Sequence, residues 1–245
     1  MKKALVVGLF LCAACVPAFA DDEVRGCALG GGAIGSVQAA LNEVVSNGNG
    51  GIFSPNMMWA AVVDRNGVLC GTTKVGDSWP GSRAIAIAKA ETANDFSNNK
   101  LALSTANLYA ATQPGGSLYG LNNSNPFNPF FNAITTNNSP GLARGNGVGF
   151  NPGGVITFGG GVALYGEGNE VIGGLGVSGD TACADHAIAY RIRGLLKLNH
   201  IPSGVGLNGT DNILYAPSGT PPTGFQHPHC GASDIVPTDA SASHR

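Results

Sequence analysis

Between residues 34 and 45 the apolar positions Ile34, Val37, Leu41, Val44 and Val45 recur at helical spacing, and Asn47-Gly48-Asn49-Gly50-Gly51 ends the pattern. The spacing predicts a helix. The runs MMWAAVVD and VLCGTTKV flank Arg65-Asn66-Gly67; two strand-length segments around an Asn-Gly pair predict an antiparallel hairpin. Asp77-Ser78-Trp79-Pro80-Gly81 supplies a turn, Ser82 can cap, and SRAIAIAKAETANDF has no interior breaker. A second helix is therefore expected from residue 82 to about residue 96.

From about residue 98 to 152 the text becomes rich in Asn and Pro (NNSNPFNPFFN, TTNNSPGLARGNGVGFNPGG), with a short helix expected at LALSTANLYAA. A loop of this length inside a domain is a candidate lid or oligomer contact, or an ordered decoration. VITFGGGVALY and EVIGGLGVS then predict a second hairpin around Gly166-Glu167-Gly168-Asn169, with a bulge or break at residues 159–161. A helix follows Asp180, with Ile188, Ile192, Leu195 and Leu196 on one side and His186, Tyr190 and Arg193 on another. Residues 216–245 read as a Pro-, Ser- and His-rich tail, packed only where Phe225 or Cys230 anchors it. Tight turns between consecutive strands make the sheet antiparallel, so the expected class is α+β with about five strands.

The first residues change the picture of where the chain works. Lys2-Lys3, the apolar run to Val16 and Ala18-Phe19-Ala20 read as a cleavable signal peptide over residues 1–20, so a periplasmic or secreted protein is expected. A lipid anchor at Cys15 is the alternative; Cys12 stands where that motif wants an aliphatic residue. No other segment has the length of a membrane span. Charged residues are 11% and the formal net charge is −2, which leaves no basic field for nucleic acid.

Four of the six cysteines, Cys27, Cys70, Cys183 and Cys230, lie beyond the leader. An even number in an oxidising compartment favours disulfides, with three connectivities open. A Cys183–Cys230 bond would pin the tail to the last helix and bring His227 and His229 near His186, with Cys27–Cys70 as the complementary pair. Against it stands zinc, held by Cys183, His186 and the His227-Pro228-His229-Cys230 stretch.

The string Gly174-Leu175-Gly176-Val177-Ser178-Gly179 satisfies G-x-G-x-x-G, yet its strand belongs to a hairpin and no acidic residue follows between Asp185 and Asp211. Glycines there let another backbone approach, and Asp180 or Thr181 caps the helix. The amides of Gly179, Asp180 and Thr181 would still suit a small organic acid, which is the rival binding function. Lys89, amid small residues, is either a buried amine of lowered pKa or a side chain reaching solvent. Glu167 and Glu170 bracket a hairpin tip. The common hydrolase signatures are absent.

WAAVVDRNGVLC, WPGSRAIAIAKAETANDFS, NPGGVITF and VIGGLGVSGD, in that order, resemble the GlcG/HbpS family of haem-degrading domains over about residues 34–200. The resemblance implies a profilin-like antiparallel sheet with packed helices, a homo-oligomer, and haem as ligand with oxidative degradation or sensing as its use. Lys89, Thr92 and residues 176–180 fall on the family's motifs. On this reading His186 or Lys89 stands near the iron and Tyr190 and Arg193 face a propionate. The Asn/Pro-rich insertion, the GDTACADHAIAYRIR helix and the tail mark a longer branch.

Overall fold

Both hairpins form in the computed structural model, which describes residues 26–30, 32–46, 51–52, 57–129, 131 and 147–238. The expected leader, Cys15 and the middle of the insertion lie outside these residues. Strand β1 (Met58–Asp64) turns into β2 (Leu69–Val75) through Asn66 and Gly67, where Gly67 takes φ +74° and the Asp64 carboxylate accepts the amides of Asn66 and Val68. Strand β3 (Gly161–Tyr165) pairs with β4 (Val171–Ser178), and β4 pairs with β1, all antiparallel, in the order β2-β1-β4-β3.

The sheet has four strands where about five were expected. Residues 155–158, read as the start of a strand, do not join it. The Ile156 amide donates to Thr92 Oγ1 at 2.9 Å, and the Thr157 hydroxyl bonds Thr112 and Asn122. A backbone amide spent on a helix side chain is lost to a ladder. Gly160, at φ +125°, then turns the chain into β3.

Helices cover both faces of this α+β domain. Alternate residues of β1 point opposite ways. Met58, Ala60 and Val62 join α1 (Gly32–Ser46) and α3 (Ala182–Leu195) in one apolar cluster, while Trp59, Ala61 and Val63 meet Ala86, Ile87 and Ala90 of α2 (Ser82–Asp95). The glycines of β4 set the distance on the α2 side. A Cβ on Gly176 would overlap the Ala86 carbonyl oxygen, and one on Gly174 would overlap that of Ala90. The helix therefore rests main chain against main chain on the strand.

The cap of α2 differs from expectation, and of the two caps expected for α3 it is Thr181 that serves. Gly81 precedes α2 and Ser82 is its first residue, without a side-chain cap bond. Thr181 caps α3, its Oγ1 accepting the Ala184 amide at 3.3 Å, while Asp180 accepts the amides of Thr181 and Ile52. The short helix expected near residue 105 is a 3₁₀ turn (Thr105–Leu108) continued by one α turn (Tyr109–Thr112). Cys27 is bonded to Cys70 and Cys183 to Cys230. Phe225 is half exposed, so the tail is anchored instead by Cys230 and by His227, which is buried. Among the described residues no helix is long and apolar enough to cross a membrane.

Candidate functional site

The inner side of α2 is made of alanines, and Lys89 projects from among them with no solvent exposure. Its ammonium meets Asp185 Oδ2 of α3 at 2.7 Å and the Val177 carbonyl at 3.1 Å, and it lies 4.8 Å from the Phe158 ring centre. Gly160 makes room for it, since a Cβ there would stand 2.7 Å from Nζ. Lys89 is thus the buried amine of the two alternatives. Burial lowers its pKa and pushes Asp185 up to about 6, while the attraction between the two opposes both shifts. The other Asp185 oxygen accepts the Asp180 amide.

His186, the next residue of α3, is equally sealed. Nε2 lies 3.1 Å from Asn212 Oδ1 and 3.1 Å from the Ile213 amide, while Nδ1 has no hydrogen-bond partner. Burial pushes its pKa down to about 4, so the imidazole is neutral at pH 7. The Tyr190 ring centre is 5.9 Å away, and the Arg193 guanidinium sits 4.9 Å over that ring. Arg193 is held by both oxygens of Asp211 at 2.6 Å and by the Ala163 carbonyl. Its charge is already matched inside the protein.

The tail delivers His227 to this region and leaves His229 outside. His227 Nε2 accepts the Gly159 amide at 3.2 Å, so its proton sits on Nδ1 and donates to the Pro228 carbonyl at 2.8 Å. Burial lowers its pKa to about 4. His229 pairs with Asp234 at 2.7 Å, and its side chain is 42% exposed. Cys183, Cys230 and His227 place their ligand atoms within 4.8 Å of one another. Both sulfurs are bonded to each other and the near nitrogen carries a proton, so this arrangement offers zinc no lone pair of the thiolate or imidazole kind.

The start of α3 is closed by its own side chains. The Asp180 amide is taken by Asp185, the Thr181 amide by Asp180 and the Ala184 amide by Thr181. Gly179, at φ +158°, lies against Met57 and Met58. Two of the three amides that a small organic acid would have used, those of Asp180 and Thr181, are engaged. Thr92 is likewise committed, donating to the Ala88 carbonyl and accepting from Ile156.

Asp211 and Asn212, which hold Arg193 and His186, stood in text without periodicity just before the expected tail and gave no signal in the sequence. Glu91 gave a weak one, as a carboxyl two places from Lys89 among alanines. It is buried, and its pKa is raised to about 8, first by burial and then by Asp95, against a hydrogen bond from Asn151. Folding therefore takes up a proton at Glu91 between its unfolded value of 4.5 and about 8, and that stabilisation is lost as pH rises through this window. The neutral imidazoles of His186 and His227 work in the opposite direction, but only between about 4 and 6.5. Glu91 titrates from pH 6.5 to 8, where its contribution to stability is expected to fall by about 2 kcal/mol. Urea unfolding of Glu91→Gln across this range should show the slope flattened; an unchanged slope would place the proton elsewhere.

Residues 37–192 match the family described as haem degrading protein HbpS-like. Among solved structures, Klebsiella pneumoniae protein ORFY of the family DUF336 is 23% identical, with 69% of this chain and 90% of that one covered and a TM-score of 0.49. A PduOC:heme complex is 25% identical, with 69% and 94% covered and a TM-score of 0.49. HbpS is 18% identical, with 66% and 87% covered and a TM-score of 0.41. No curated protein matches the chain.

Proposed function

The chain belongs to the HbpS-like family of haem-degrading proteins, and from this we propose that it is an exported haem-binding protein in which His186 faces the iron. The observation that carries the choice of residue is the uncommitted Nδ1 of His186. Lys89 is spent on Asp185 and Val177, and Arg193 on Asp211, so neither is on offer to iron or to a propionate while those pairs stand. A neutral imidazole with a free lone pair has the donor chemistry that haem iron takes. Haem, when bound, supplies the redox chemistry; the protein supplies position and access. Export is supported by the leader-like residues 1–20 and by the two disulfides.

Access is the distinctive part. Asn212, Ile213 and His227, which close over α3, all lie beyond the residues that match the family. His186 is fully buried, so haem reaches it only through a minor open state, and its apparent affinity is reduced by the open fraction. Titration of the protein with haemin should give a saturable Soret shift that His186→Ala weakens at least about tenfold, with an association rate that levels off as haemin is raised. No saturable shift in the parent protein, or equal affinity in the variant, would overturn the assignment.

A further inference from the structure

The two neighbours of His186 Nε2 make opposite demands on it. Asn212 Oδ1, at 3.1 Å, calls for a proton on Nε2; the Ile213 amide, at the same distance, calls for a lone pair. The conflict is resolved by the amide itself, which has a closer acceptor in Asn212 Oδ1 at 2.9 Å. That oxygen can accept from both groups, because an amide carbonyl carries two lone pairs. The orientation of the Asn212 side chain is not free, since Nδ2 donates to the Pro237 carbonyl at 2.7 Å, and a flipped amide would set two oxygens against each other. The residue's backbone is also fixed, its carbonyl accepting from Asn107 Nδ2 at 3.1 Å and its amide donating to Thr210 Oγ1 at 3.3 Å.

The other tautomer fares worse. A proton on Nδ1 would find no acceptor, because that atom has no partner within hydrogen-bonding reach. It would bury an unpaired N–H, whereas the Nε2–H form leaves only an unpaired lone pair.

We propose that Asn212 is a positioning residue that holds His186 in the Nε2–H tautomer, so that Nδ1 is the atom offered to a Lewis acid such as haem iron. The role of Nδ1 as ligand rests on the haem reading given above; the tautomer does not. An outer partner that fixes the ring of a ligating histidine typically changes metal affinity by about 10- to 100-fold when removed.

The test is nitrogen NMR of the haem-free, full-length protein with labelled imidazoles. In the parent protein His186 Nδ1 should resonate in the unprotonated, pyridine-type range and Nε2 in the protonated, pyrrole-type range. Asn212→Leu removes the acceptor and should move both resonances toward the averaged range of a mixed tautomer. In haemin titrations Asn212→Leu should bind about 10- to 100-fold more weakly. A pyrrole-type Nδ1 in the parent protein, or an Asn212→Leu spectrum identical to the parent's, would overturn the proposal. Should Asn212→Leu fail to fold, the parent spectrum decides alone. If the spectrum is as assigned and haemin does not bind, the haem reading falls and the tautomer assignment stands.

Discussion

Asp185→Ala is expected to destabilise the fold by about 3–5 kcal/mol, the cost of leaving one member of a buried ion pair without the other. Lys89 is fully sealed and the Asp185 side chain is 2% exposed. Removing the carboxylate leaves an ammonium in a site whose remaining partners are one carbonyl and the face of Phe158, and it strips the Asp180 amide of its acceptor. Burial already lowers the Lys89 pKa, so part of the loss will be relieved by release of its proton. The double replacement Lys89→Met/Asp185→Leu should recover most of the stability, because it removes both desolvation costs at once. Urea denaturation of the two variants checks the pair. A loss under about 1 kcal/mol in Asp185→Ala would mean that the site admits water.

Cys183→Ser/Cys230→Ser should lower stability by about 4 kcal/mol, the loop-entropy value for a bond closing 47 residues of sequence separation. This bond ties the first turn of α3 to a segment otherwise held by Arg193 on Asp211, by the Gly159 amide on His227 and by a short pairing of residues 215 and 227. Those contacts remain in the variant, so its folded state should keep the same spectrum while unfolding at lower urea. Reductant should then shift the double variant only by what the Cys27–Cys70 bond contributes. Equal midpoints for parent and variant under oxidising conditions would show that the unfolded chain gains nothing from the loop being open.

The local parts of this fold were readable from the sequence, and the reason is physical. Asn66-Gly67 between apolar runs encodes its hairpin within a few residues, and the breaker-free text after Gly81 encodes α2 to within a residue at its end. The glycines of β4 were rightly read as space for another backbone, with α2 the occupant. Disulfide formation followed from compartment and chemistry with three connectivities open, and the favoured pairing agrees with the structure. Residues 155–158 misled because apolar alternation says nothing about where an amide's bond will go, and Thr92, more than 60 residues earlier in the chain, takes it. The site was less legible for the same reason. His186, Tyr190 and Arg193 share a helix side and could be found together, but what decides their chemistry is the reach of Asp211 and Asn212 from aperiodic text. Lys89 was noticed and its partner was not, since 96 positions separate it from Asp185.

The seam between α2 and β4 has a calorimetric consequence. Ala86 and Ala90 on the helix face glycines on the strand, so this interface removes main chain and methyl groups from water where most cores remove large side chains. Exposure of apolar surface raises the heat capacity of unfolding and exposure of peptide groups lowers it. A domain whose central contact is peptide against peptide therefore has a heat-capacity increment below that of a domain of its size with a leucine core, and a free energy of unfolding that bends less with temperature. Its protection against warming and against cooling is spread over a broader range.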